Sequence, residues 1–169
     1  YQRPQHLCVQ WARHGHRVFF FSPDFRPSVN PGFTRRGQHY LGRPVADQIL
    51  EIHLAGSRQL QPLNQRMTES DLKGLTRASQ QIIEDFKVNN PVFVVELPFW
   101  LPLALNMRVE VGGKVIYDWI DRWEGIFPSA YSMLAEETKY LGRVDLIVTT
   151  ARLLSRFAGR YNRPIVLVP

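Results

Sequence analysis

Two carboxylates, one arginine and two tryptophans fall within the segment Tyr117-Asp118-Trp119-Ile120-Asp121-Arg122-Trp123. Carboxylates so placed can act as a general base or as polar clamps on sugar hydroxyls, which makes Asp118 and Asp121 the candidate catalytic pair. Trp119 and Trp123 offer flat amphipathic rings that can stack on the apolar face of a sugar. The plainer reading is that Asp121 turns the loop and the tryptophans pack. Asp24, Glu96, Thr149 and Thr150 join Trp119, Arg122 and Trp123 as candidate binding residues, because each lies just after a predicted strand. Ligands of open parallel sheets bind beyond the carboxyl ends of the strands. Asp24 also suits a turn, and Thr149 or Thr150 suits the cap of the next helix.

The elements that must position these groups follow from periodicity and breakers. Pro4 opens a helix whose apolar face carries Leu7, Cys8, Trp11 and Ala12, and Gly15 ends it. Val18–Phe21 is an apolar run that fits a strand buried on both faces. Pro23 to Gly37 is loop. Residues 38–66 are hard to read, with Ile49, Ile52 and Leu54 marking a strand and 56–65 irregular. Thr68 with Asp71 forms a capping-box signal, followed by a helix through Leu72, Leu75, Ile82, Ile83 and Phe86 to about Asn89. Val92–Val95 is a strand, Pro98–Met107 an apolar helix, and Lys114–Tyr117 a strand after the Gly112-Gly113 turn. Asp118–Phe127 is then a loop. A helix from Pro128 or Ser129 reaches Gly142, a strand covers Val144–Val148, and a helix with Leu153, Leu154 and Phe157 stops at Gly159. Ile165–Val168 begins one more strand.

Strand and helix alternate through most of this order. That predicts an α/β fold: a Rossmann-like parallel sheet with helices on both faces. No strand precedes the first helix, and the last strand has no successor. The expectation is a single domain over residues 1–169, truncated at both ends.

Composition narrows the classes. Of the 169 residues 44% are hydrophobic and 21% charged, which suits a globular core. No apolar run approaches the ~20 residues that span a bilayer. The lone Cys8 cannot form an internal disulfide, and a cytoplasmic setting fits. The net charge is +6, but its arginines are scattered and no nucleic-acid motif occurs, so no nucleic-acid partner is expected. His6, His14, His16, His39 and His53 lack metal-ligand spacing, and no metal is expected. Neither a G-x-G-x-x-G nor a G-x-x-x-x-G-K-[ST] fingerprint is present.

Four motifs in order resemble those of bacterial GT-B glycosyltransferases of the family 4-like, group 1 type. They are Arg3-Pro4-Gln5-His6-Leu7 with Gly15-His16-Arg17-Val18; Val115-Ile116-Tyr117-Asp118-Trp119-Ile120-Asp121 with Phe127; Glu136 or Glu137 before Val144-Asp145-Leu146-Ile147-Val148-Thr149; and Pro164 to Pro169. The resemblance covers nearly the whole chain. It implies an amino-terminal, acceptor-side domain that binds no cofactor itself, with the nucleotide-sugar donor held by a carboxyl-terminal domain absent from these residues. The implied reaction moves a sugar to an acceptor hydroxyl, in cell-surface polysaccharide or glycolipid synthesis. The implied partners are a sugar or lipid-linked acceptor and, through basic charge and the apolar helix near Trp100, the inner face of the membrane. The isolated chain is then expected not to turn over. The alternatives are a non-catalytic Rossmann-like binding module, or another nucleotide-dependent enzyme missing its first strand.

Overall fold

The computed structural model describes residues 3–22, 26–27, 39–56, 58, 60–123 and 131–169, with the backbone alone at 26, 27, 131 and 132. Helix α1 covers Arg3–Arg13 and leads into strand β1, Val18–Phe21. Gly15 between them takes φ +86°, the left-handed conformation that glycine adopts without steric cost. A two-residue strand β2, Arg26–Pro27, lies within the stretch read as loop and is the first departure from the sequence reading.

Residues 38–66 contain a hairpin. β3 (Tyr40–Ala46) runs antiparallel to β4 (Ile49–Gly56), joined by a turn in which Gln48 has φ +58°. β4 was visible because Ile49, Ile52 and Leu54 are 5%, 0% and 2% exposed. β3 was not, because Gly42 to Ala46 lie exposed and carry no apolar alternation. Pro44 is tolerated there because β3 pairs with β4 alone among the described strands.

Helix α2, Glu69–Asp85, starts at the expected capping box. The Asp71 N–H donates to Thr68 Oγ1 at 3.1 Å, and the Thr68 N–H donates to Asp71 Oδ2 at 3.0 Å. Burial by itself would push the Asp71 carboxyl up, but Arg58 at 2.7 Å and the Thr68 donors outweigh it and hold it below its ordinary value. The helix ends four residues short of Asn89, where Lys87 turns to φ +48°.

The second half alternates as expected. β5 (Val92–Val95) leads through a 3₁₀ turn (Pro98–Trp100) to α3 (Leu101–Val111), then β6 (Lys114–Trp119). Gly113 has φ +96°, and a Cβ there would collide with the Pro91 carbonyl oxygen. After α4 (Tyr131–Tyr140) and a 3₁₀ turn (Leu141–Arg143) come β7 (Leu146–Thr149), α5 (Arg152–Ala158), a 3₁₀ turn (Gly159–Tyr161) and β8 (Ile165–Leu167). The stretch 124–130, including Phe127 and the expected helix start, lies outside the described residues.

The strands form two sheets. In one, β1 and β2 pair parallel with β4, and β3 antiparallel. In the other, β5-β6-β7-β8 are all parallel. Helices α2 and α3 pack across both: Leu75, Ala78, Ile82, Phe99, Leu103 and Met107 share one core cluster with Ile52 and Leu54, against which Phe19, Phe21 and Phe93 pack. The chain therefore has a Rossmann-like α/β architecture. The apolar helix near Trp100 is committed to this core, with Phe99, Leu101, Leu103 and Leu105 at most 4% exposed, so those side chains offer no membrane-facing surface.

Candidate functional site

β6 and its parallel neighbours build the site through simple register. Val94 sits beside Ile116 and Val95 beside Tyr117. Glu96 follows the last residue of β5 directly, as Asp118 follows Tyr117 in β6, and the charge of Asp118 reaches its carboxyl. Side chains alternate along a strand. Tyr117 and Val95 therefore share one face, and Asp118 lies on the other. Asp118 was expected in a loop; it belongs to β6, which runs to Trp119.

Helix α1 supplies the third group. Arg3 Nε donates to Asp118 Oδ2 at 2.9 Å and Arg3 Nη2 donates to Oδ1 at 3.2 Å. Both guanidinium nitrogens thus engage both carboxylate oxygens, the geometry that gives arginine its strongest pairs. The Asp118 side chain is 3% exposed and that of Arg3 24%. The hydrogen bonds to Asp118 raise the Arg3 pKa further.

Glu96 is half-buried and forms no hydrogen bond with any described residue. Burial pushes its carboxyl up to about 7, the negative charge of Asp118 adds to the rise, and Arg3 opposes it. Cys8, on the same helix as Arg3, is pushed to about 11 by burial and by Glu96, so it stays a neutral thiol. The result is one clamped carboxylate beside one carboxyl that exchanges its proton near neutral pH.

The other candidates disperse. Asp24 lies outside the described residues. Asp121 is exposed, and its carbonyl accepts from Trp119 Nε1 at 3.0 Å. The two tryptophans correct the stacking expectation. Trp119, 4% exposed, packs in the core with Tyr117 and Tyr161. Trp123, 6% exposed, packs with Met133 and donates to Tyr117 Oη at 3.4 Å. Neither ring presents a face to a ligand. Arg122 lies over the Phe157 ring, 4.6 Å from its centroid, on the α5 side. Neither threonine caps α5, whose N-cap is Ala151 without a side-chain bond. Thr149 is wholly buried and pairs with Ser155 Oγ at 2.6 Å. Thr150 Oγ1 donates to the Ile120 carbonyl at 3.0 Å, tying the ends of β6 and β7 together.

Sequence reasoning missed Arg3 as a site residue. Its signal was its place in the Arg3-Pro4 helix start, but nothing in the spacing shows that it reaches a carboxylate 115 residues away. It also missed the role of Glu137. That residue is 3% exposed and accepts from Tyr117 Oη at 2.7 Å inside the core. Burial first, then Glu137, holds the Tyr117 phenol well above its ordinary pKa. Among the described residues no group of three or more His, Cys, Asp or Glu converges to hold a metal ion. No helix among them is long and apolar enough to cross a membrane.

Comparison with known proteins defines the class by fold. No family model matches the chain, and no curated protein does. Among solved structures, the chain is similar to a sucrose-phosphate synthase from Thermosynechococcus elongatus. The TM-score is 0.67 at 14% identity, over 98% of this chain and 82% of that one. The likeness is one of fold: the two share a Rossmann-like α/β architecture over nearly all of this chain.

Proposed function

We propose that this chain is the acceptor-side domain of a glycosyltransferase that moves a sugar from a nucleotide-sugar to an acceptor hydroxyl, in cell-surface polysaccharide or glycolipid synthesis. The observation that carries the reading is the Glu96–Asp118–Arg3 group at the carboxyl ends of β5 and β6, in a glycosyltransferase-like fold. A fixed carboxylate and a proton-exchanging carboxyl suit a hydroxyl that must be oriented and deprotonated. Asp121, exposed just beyond β6, is placed to accept a second hydroxyl. The donor is held outside these residues.

The basic surface supports a phosphate-bearing, lipid-linked acceptor. From Leu146 to Pro169 there is no acidic residue, and Arg152, Arg156, Arg160 and Arg163 are all exposed. Exposed Leu153 lies among them. Arginines so arranged attract anionic headgroups.

The test is transfer by the full-length protein from a panel of labelled nucleotide-sugars, with a bacterial lipid extract as acceptor source. Label appearing in the lipid or polysaccharide fraction, with nucleotide released, supports the reading. Nucleotide binding with no transfer from any donor supports the rival binding module. Co-sedimentation with anionic vesicles, lost when the four arginines become glutamine, tests the lipid contact separately; equal binding by the variant would remove it.

A further inference from the structure

Of the acidic groups near the carboxyl ends of β5 and β6, Glu96 differs from the others in its bonding. Both oxygens of Asp118 are held by Arg3, so protonating Asp118 would break a forked ion pair. Asp121 is exposed to water. Cys8 faces the same region but stays protonated. Half-buried Glu96 directly follows β5, close enough to Asp118 of β6 and Arg3 of α1 to feel their charges, and has no hydrogen-bond partner among the described residues. The groups whose charge reaches it are Asp118 from β6 and Arg3 from α1, with the neutral Cys8 thiol beside them.

We infer that Glu96 takes the proton from the acceptor hydroxyl, and that Arg3 and Asp118 are positioning residues that keep a fixed negative charge beside it. This rests on the sugar-transfer reading. In the step, the acceptor oxygen forms a new bond to the anomeric carbon of the nucleotide-sugar. The bond from that carbon to the nucleotide's phosphate oxygen breaks, and its electron pair leaves with the phosphate. The hydroxyl proton moves to a Glu96 carboxylate oxygen. Burial first, and then the Asp118 charge, make Glu96 a stronger base than an isolated carboxylate, near the pH at which proton transfer is most efficient.

The test compares pH–rate profiles of sugar transfer by the full-length wild type and by Glu96→Gln, Glu96→Asp and Asp118→Asn. In the wild type, kcat/KM rises with pH through a midpoint near 7, where Glu96 loses its proton, and levels off above it. Glu96→Gln lowers kcat roughly 100-fold or more with KM little changed, and removes the acid limb. Glu96→Asp keeps the limb. Asp118→Asn removes the charge that raises Glu96, so the limb moves to lower pH. ¹³C NMR of the carboxyl carbons in the 169-residue chain reads the Glu96 titration directly, whether or not a variant turns over.

An acid limb unchanged in Glu96→Gln, or Glu96 titrating near the ordinary glutamate value, overturns the inference and leaves the sugar-transfer reading standing. A wild type that transfers sugar from no nucleotide-sugar overturns both.

Discussion

Val115, Tyr117 and Trp119 point to one side of β6 and are 0%, 0% and 4% exposed, while Ile116 and Asp118 point to the other, toward α1. The first side is closed. Its polar atoms are matched inside the protein, Tyr117 Oη with Glu137 and Trp119 Nε1 with the Asp121 carbonyl. Near Asp118, clamped on the second side, lies Glu96, a half-buried carboxyl with no hydrogen-bond partner among the described residues. Alternation along one strand thus delivers both a core and a site. What separates the two is whether each polar group is satisfied among the described residues, since buried carboxylates occur on both, Glu137 on the first and Asp118 on the second.

Variants on the two faces should therefore fail differently. The largest effect is expected from Ile147→Ala on the core face. Ile147 is fully buried, and the change should cost about 2–5 kcal/mol in urea unfolding. The Glu96 titration should stay unchanged in the folded fraction; a moved titration would mean the faces are coupled. Tyr117→Phe should cost about 1–3 kcal/mol by removing one hydrogen-bond donor from the buried Glu137 carboxyl. A loss near zero would show that other partners satisfy Glu137.

On the site face, Asp118→Asn should cost less than Tyr117→Phe, because Arg3 is partly exposed and water can take over its donors. Glu96→Gln should change the pH dependence of stability. The folded pKa of Glu96, about 7, lies above its unfolded value, so the folded state binds the extra proton between the two. Wild-type stability should fall as pH rises from the unfolded glutamate value to about 7 and be flat beyond. The glutamine variant should lack that decline and melt higher at alkaline pH, read as Tm across the range. Arg43→Ala, which removes an exposed pair with Glu51 on the first sheet, should change stability by roughly 0.5 kcal/mol or less.

The alternating second half was legible because each strand is a short apolar run and each helix has its own stop. The hairpin of β3 and β4 was half legible: β4 is buried on one face, whereas β3 carries Gly42, Arg43 and Pro44 on an exposed edge. At the site, Asp118 and Glu96 were found because both lie at strand ends. Their relation was hidden, since register between β5 and β6 is a tertiary fact. Trp119 and Trp123 looked like ligand-stacking rings because sequence reports residue type and not which side of a strand faces the core. The two threonines misled for a similar reason: their hydroxyls bond Ser155 and the Ile120 carbonyl rather than the first turn of α5.

The most direct test of the acceptor-side account is NMR mapping of the ¹⁵N-labelled chain titrated with hexoses and disaccharides. The account predicts amide shifts at Glu96, Leu97, Asp118, Asp121 and Thr150, weakened in Asp118→Asn, with Lys114 and Asp145 at the opposite strand ends unmoved. Shifts confined to Lys114, Asp145 and Arg108, or no response to any sugar, would contradict it.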